Sequence, residues 1–356
     1  MMGKAMIAMS GGVDSSVAAY LMQERGFEII GVTMHLFDNE DIGITDKTCC
    51  SLSDTDDARS VAARLGIPFY VLNFKDDFRR NVIDRFVSAY AEGKTPNPCI
   101  DCNRYLKFGK LITKMRELGF DYVVTGHYAR ISFDEGRGRY ILRKAKDAHK
   151  DQSYVLYSLT QEQLSHVLLP LGELTKPEVR EIAEKHGFVN ARKRDSQDIC
   201  FVPDGDYARF IKENCGAGFD EGDFVDRNGS FIAKHKGIIH YTVGQRRGLG
   251  IAAKAPYYVL SKDAVTNRVV LGSNEDLFAD SLTAEDLNFI SVDKLTEPMQ
   301  VSAKIRYSSR ETPAVITPLE NGDVRVRFDE PQRAVTPGQT VVFYDGDIVV
   351  GGGTIK

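Results

Sequence analysis

The chain has 356 residues, 42% hydrophobic and 27% charged, with a formal net charge of −4. That length predicts two or three domains, and the acidic balance argues against a generally basic nucleic-acid binder. No apolar run approaches the roughly 18 residues of a membrane span. The short run after Lys4 leads straight into a glycine loop, so it reads as a core strand of a cytoplasmic protein, not as a secretory signal.

Strand and helix alternate over the first ~130 residues. Lys4–Met9 reads as a buried strand, and Ser15–Arg25 as a helix stopped by Gly26. Glu28–Met34 is a second strand. Ser53 or Asp54 caps a helix with Ala58, Val61, Ala62 and Leu65 on one face, and Ile67–Asn73 is a third strand. Asp76–Tyr90 is helical by pattern. Gly93–Pro98, GKTPNP, is expected to be a loop. Asn103–Leu118 is expected to be a helix, and Tyr122–Thr125 the next strand. Repeats of this kind predict an α/β fold with a doubly wound parallel sheet over residues 1–205. Ligands of such sheets sit at the carboxyl ends of the strands, where 9–16, Met34 and Gly126 fall.

Beyond residue 205 glycines become frequent and strand-like runs replace the helices. Residues 206–280 read as a small central domain of mixed α+β structure. Runs at Val269–Gly272, then Phe289–Val292, Val301–Ile305, Ala314–Pro318, Val324–Phe328 and Thr340–Tyr344 predict a small antiparallel β-barrel at the C-terminus, its domain taken as 281–356. Two stretches are locally basic. Arg137–Lys150 carries six Lys/Arg against Asp147, and Lys234–Lys254 carries five with no acid. With Arg192, Lys193 and Arg194 they suggest a phosphate-contacting path.

The run MSGGVDSS lies between the first strand and the first helix. Its glycines let backbone N–H groups face an anion, and the helix dipole adds positive charge. Ser10, Ser15 and Ser16 are further donors. The lysine of a G-x-x-x-x-G-K-[ST] loop is missing, and with it the point charge on the β- and γ-phosphates. Such a loop suits cleavage between the α- and β-phosphates of ATP, with Mg²⁺ neutralising the triphosphate. It resembles the loop of the N-type ATP pyrophosphatases (PP-loop proteins), which adenylate an oxygen and release pyrophosphate.

Six cysteines are present: Cys49, Cys50, Cys99, Cys102, Cys200 and Cys215. Cys99 and Cys102 precede a helix, with Cys102 expected near its N-cap, where the dipole favours thiolate. No second pair completes a four-ligand zinc site. Cys99, Cys102 and Cys200 suit either a sulfur-transfer pair or a 4Fe–4S cluster with one open iron. Cys49 and Cys50 could relay sulfur or be structural.

The segments AMSGGVDSSVAA, KTPNPCIDCNRYLKF, TGHYAR, KDQSYVL, DSQDICFVPDGDY, YTVGQRRGLGI and the Pro-Gly-Gln of 337–339 run in order along the chain. Together they resemble the bacterial tRNA-specific 2-thiouridylases. The resemblance implies ATP-dependent sulfur transfer to the 2-position of the wobble uridine in tRNAs for Lys, Glu and Gln. It implies Cys102 as a catalytic thiol and Cys200 as persulfide carrier, passing through a Cys102–Cys200 disulfide. A cysteine desulfurase or a sulfur-relay protein would be the donor. ATP would be held by Ala8, Met9, Ser10, Gly11, Gly12, Val13, Asp14, Ser15, Met34 and Gly126. The target base would be bordered by Asn97, Pro98 and Cys99. The tRNA would touch His127, Lys150, Asp151, Gln152, Arg306, Tyr307 and Gln339. Many family members carry aspartate in place of Cys99, so an acid/base role there is not available in the same form, and the three-cysteine cluster stays open as an alternative. A small-molecule ligase of the pyrophosphatase type and a non-catalytic tRNA binder are the more distant readings.

Overall fold

The computed structural model describes residues 2–38, 52–193, 199–215 and 219–356. Cys49, Cys50 and Arg194 lie outside the described residues. Strands β1 (Lys4–Ala8), β2 (Glu28–His35), β3 (Phe69–Asn73), β4 (Tyr122–Val124) and β7 (Val167–Leu168) form a parallel sheet in the order β3-β2-β1-β4-β7. β5 (Arg130–Asp134) and β6 (Arg139–Arg143) form a hairpin elsewhere. Ala5, Met6 and Ile7 of the central strand are fully buried, which explains an apolar run with no polar alternation. On one face the sheet packs against helix α1 (Val13–Glu24) and the helix Leu52–Leu65, through Val17, Ala18, Met22, Ala58 and Val61. On the other it packs against Phe108, Leu111 and Met115. Helices on both faces make the sheet doubly wound, as expected. Among the described residues no helix is long and apolar enough to cross a membrane.

The helix expected from Asn103 begins five residues earlier. Asn97 Oδ1 accepts the Cys99 amide at 3.2 Å, and Pro98 occupies the first helical position. Proline is tolerated there because that N–H has no intrahelical partner. The run continues as a π-helical stretch, Cys102–Lys110, and then as α-helix Leu111–Glu117.

Six antiparallel strands, Phe278–Phe289, Met299–Lys304, Thr312–Pro318, Val324–Arg333, Thr340–Asp345 and Ile348–Ile355, close into a barrel. Ile316, Val326, Val341, Phe343 and Val350 fill it. The last strand escapes a pattern reading because Gly351, Gly352 and Gly353 interrupt it. The closure of the barrel requires them. A Cβ on Gly352 would lie 2.6 Å from the Val341 carbonyl oxygen and 2.7 Å from the Tyr157 ring, and one on Gly353 would lie 2.6 Å from the Glu285 carbonyl oxygen. Gly352→Ala is therefore expected to destabilise the protein by about 1–3 kcal/mol through overpacking. Thermal denaturation checks it, and an unchanged midpoint would contradict this account of the seam.

The β5–β6 hairpin joins the barrel edge, with Ile348 opposite Arg143. This corrects the reading of 137–150 as a phosphate path. Arg137 pairs with Asp134, Arg139 with Asp293, Arg143 with Asp347, Lys144 with Glu311 and Lys146 with Glu178. Three of those acids lie in the barrel region, so half of this basic run fastens the N-terminal part of the chain to it. The central residues form a four-stranded sheet, Tyr258–Asp263, Arg268–Gly272, Gly222–Val225 and Phe231–His235. Its Phe224, Val259 and Val269 share one core with Phe78, Phe86 and Tyr90 of the catalytic helices.

Candidate active site

The loop after β1 is braced from within. Gly11 has φ +74°, and a Cβ there would run into the Asp54 carbonyl oxygen, so only glycine fits. Ser15 Oγ donates to the Gly12 carbonyl at 3.0 Å and accepts the Ser10 amide at 3.2 Å, and Ser16 Oγ donates to the same carbonyl at 3.1 Å. Ser15 and Ser16, expected as donors to phosphate, here hold the loop, while Ser10 is exposed at its tip. Gly126 at the end of β4 abuts the start of α1. A Cβ on it would lie 2.7 Å from the Asp14 carbonyl carbon and the Ser15 amide. From the far side, buried Asn190 donates to the Gly11 carbonyl and to Ser16 Oγ, both at 2.9 Å. Lys193 pairs with Asp54 and Asp57 and reaches the same Gly11 carbonyl at 3.4 Å. That placement ties Lys193 to the loop and away from an open phosphate path.

A lysine does stand at this loop, brought from far away in the sequence. Lys176, 7% exposed, places Nζ 2.8 Å from both carboxylate oxygens of Asp14, and Tyr128 donates its hydroxyl to Asp14 Oδ1 at 2.7 Å. Lys176 opens a helix capped by Thr175 and Glu178. Its sequence neighbourhood carries only that capping signal, so a local motif could not assign it to the loop.

Cys99, not Cys102, sits in the first turn of the thiol-bearing helix. Cys102 lies beyond that turn, where the dipole has faded, so the expectation of a dipole-lowered thiol there is corrected. Burial pushes the Cys102 thiol above its usual pKa, and the Lys107 ammonium opposes that shift. Lys107, five residues on in the π-helical stretch, is near enough to act on the Cys102 thiol through its charge. Burial pushes neighbouring Asp101 up to about 6, against the nearby Arg85, whose Nε is 3.5 Å away.

Cys200 precedes Phe201, whose ring stands 5.6 Å from Phe78, 5.3 Å from Phe86 and 5.1 Å from Phe210. Cys102, Cys200 and Met34, at the carboxyl end of β2, each pack against the large hydrophobic core that contains these rings. Both thiols and a residue expected at the nucleotide therefore border one core. Among the described residues no disulfide is present; Cys99 is exposed, and Cys102, Cys200 and Cys215 are half-buried. Three His, Cys, Asp or Glu side chains are nowhere gathered to hold a metal among the described residues. Cys99 and Cys102 are neighbours on one helix, but Cys200 does not complete a ligand set with them, so the residues do not fit a three-cysteine cluster.

The residues expected at tRNA divide into two groups. His127 and Tyr307 form the first, each within electrostatic reach of the thiol-bearing helix. His127 Nδ1 is 2.7 Å from Thr125 Oγ1, its ring is 5.9 Å from Phe108, and burial, with Lys107, holds its pKa well below the usual value, so it is neutral. Tyr307 donates to the Asp151 carbonyl at 3.2 Å, with Lys304 Nζ 5.5 Å from its ring centre, and Cys99 is near enough to affect its titration. The others already serve the fold. Gln152 exchanges hydrogen bonds with the Tyr128 backbone at 3.0 and 2.8 Å. The Asp151 carboxylate caps the Ala145 and Ser153 amides. Arg306 donates to the Arg333 and Ala334 carbonyls at 2.8 and 2.7 Å. Gln339 donates to the Thr95 carbonyl at 2.7 Å. Arg246 and Arg247 are exposed on the rim of a hollow of about 660 Å³ shared with Lys254 and Tyr257.

Comparison with known proteins gives the family. Residues 3–204 match the family model described as the tRNA methyl transferase HUP domain, 208–273 its PRC-barrel domain, and 279–355 the aminomethyltransferase beta-barrel domain. The chain is 57% identical over 355 residues to tRNA-specific 2-thiouridylase MnmA of Acetivibrio thermocellus, covering 99% of each. It is 54% identical over 353 residues to the protein of that name from Clostridioides difficile, covering 99% of this chain and 98% of the relative. Sharing more than half its residues with such relatives from end to end, the chain belongs to the tRNA-specific 2-thiouridylase family.

Proposed function

We propose that this chain is an ATP-dependent tRNA sulfurtransferase acting on the wobble uridine of tRNAs for Lys, Glu and Gln. The observation that supports the reading is that Cys102, Cys200 and Met34, at the carboxyl end of β2, border the same hydrophobic core. The uridine 2-oxygen attacks the α-phosphate, the α–β bond breaks, and pyrophosphate leaves. The oxygen, a poor leaving group by itself, now departs as AMP. Cys200 carries the incoming sulfane sulfur as a persulfide. The Cys102 thiolate attacks Cys200 Sγ, the persulfide S–S bond breaks, and hydrosulfide leaves with the electron pair. The two cysteines are oxidised to a disulfide as that sulfur is reduced. Hydrosulfide then adds at C2 and AMP departs. A dithiol reductant resets the pair, and a cysteine desulfurase or sulfur-relay protein reloads Cys200.

Asp14 is the loop carboxylate that would help hold Mg²⁺, which would neutralise charge on the triphosphate. Cys99, Cys102 and Cys200 do not gather as a ligand set among the described residues, and no step is assigned to an iron–sulfur cluster. In this reading the His127 and Tyr307 rings would help hold a uridine drawn out of its stack. In this reading residues 1–205 carry the chemistry, 206–280 contact tRNA and 281–356 grip it by shape, in a cytoplasmic setting.

The hollow rimmed by Arg246 and Arg247 is the basic surface open to phosphate. Replacing both with alanine should weaken tRNA binding and flatten the plot of log affinity against log salt by roughly 1–2. An unchanged slope would remove this surface from the tRNA path. The reaction itself is tested by incubating enzyme, ATP, Mg²⁺ and unmodified tRNA with a persulfide donor. Thiolated wobble uridine, AMP and pyrophosphate are expected in equal amounts.

A further inference from the structure

The Pro-Gly-Gln turn belongs to the barrel, yet its hydrogen bonds go to the loop that leads to the thiols. The Thr95 amide donates to the Pro337 carbonyl at 2.9 Å, and Gln339 Nε2 donates to the Thr95 carbonyl at 2.7 Å. Both backbone groups of Thr95 are therefore held from the barrel. Between them Gly338 has φ +86°, and a Cβ there would lie 2.9 Å from Lys94 Cβ and 3.0 Å from the Thr95 amide. The two backbones meet with no room for a side chain.

The connection from Thr95 to the thiols is short and stiff. Pro96 and Pro98 flank Asn97, which caps the helix bearing Cys99 and Cys102. Proline fixes φ and restricts the residue before it. A displacement at Thr95 is thus passed on to Cys99 with little absorbed between. The barrel side is equally constrained. Ala334 adopts φ +56°, uncommon for a residue with a Cβ, and Arg306 and Thr336 both donate to its carbonyl. Thr95 Oγ1 is buried without a hydrogen-bond partner among the described residues. Its burial in that state shows that the loop is held by its backbone anchors and not by its own side chain.

We propose that Gln339 is a positioning residue: from the barrel, through Thr95, it sets the placement of the loop that presents Cys99 and Cys102. The proposal rests on the sulfur-transfer reading above. Its first readout needs no turnover: the rate at which iodoacetamide labels Cys99 in the full-length enzyme, followed by peptide mass spectrometry without ATP or tRNA. Gln339→Ala and Gln339→Glu should each change that rate at least threefold. They should lower kcat for thiolation tenfold or more, with KM for tRNA within twofold of the parent. Gly338→Ala, which pushes on Lys94 and Thr95 directly, should act in the same direction. A raised KM for tRNA with kcat and Cys99 labelling unchanged would make Gln339 a plain tRNA contact and overturn the proposal, as would no change in any of the three. Failure of the parent enzyme to thiolate would instead strike the sulfur-transfer reading, which the labelling readout separates from this one.

Discussion

A Cys102→Ser enzyme is expected to lose thiolation by at least ~10³-fold while still releasing pyrophosphate from ATP in the presence of tRNA. The two half-reactions use different groups. In the proposed reaction adenylation depends on the loop after β1, whereas Cys102 would act only when the persulfide on Cys200 is opened. Serine keeps the size of the side chain, so helix Cys102–Lys110 and the cluster beneath it should be undisturbed. Adenylated tRNA should accumulate and revert slowly to uridine. The pH dependence of the parent enzyme follows from the same residue. Burial raises the Cys102 pKa above that of an ordinary thiol, with Lys107 opposing and Cys99 and Asp101 adding to the rise. Near neutral pH the thiol form therefore dominates, and the reactive thiolate grows about tenfold per pH unit until the pKa is reached. The sulfur-transfer step, measured in single turnover with persulfide-loaded enzyme, should climb through the alkaline range. A rate flat from pH 7 upward would contradict a buried, protonated Cys102, and simultaneous loss of pyrophosphate release in Cys102→Ser would contradict the division of labour.

Lys176→Met should cut tRNA-dependent pyrophosphate release by about 10²–10³-fold, the usual cost of losing one group that stabilises charge in the transition state. Its Nζ lies 2.8 Å from both Asp14 oxygens, and its side chain is almost fully buried. The loop lacks a lysine of its own, so in the proposed reaction Lys176, held on Asp14, would supply positive charge near the departing pyrophosphate. The substitution also leaves the Asp14 carboxylate without its partner, which is costly in a half-buried site, and the melting temperature should fall. Lys176→Arg keeps the charge and should recover part of both losses. Pyrophosphate release at the parent rate in Lys176→Met would show that the pair serves only to hold the helix after Thr175 against α1.

The parallel sheet was legible because its central strand is buried on both faces and its helices end at glycines such as Gly26 and Gly119, both with positive φ. The phosphate loop and both thiols were legible as local patterns. Features that depend on distant partners were not. The charge run 137–150 carries no sign that its acids sit at Asp293, Glu311 and Asp347. Lys176 and Asn190 approach the loop only through the packing of the sheet. The last barrel strand was hidden because a triple glycine weakens any strand pattern, although it is what lets that strand lie against Tyr157 and Val341. The N-cap at Asn97 was missed because two prolines and a glycine read as loop, when the second proline in fact opens the helix and moves Cys102 out of its first turn.

The central claim is that ATP makes the uridine 2-oxygen expendable. It is tested most directly with an anticodon stem-loop carrying ¹⁸O at the 2-position of the wobble uridine. After thiolation by the complete system the account predicts one ¹⁸O atom in the phosphate of each AMP released, read by mass spectrometry. Thiolated product accompanied by unlabelled AMP would contradict it.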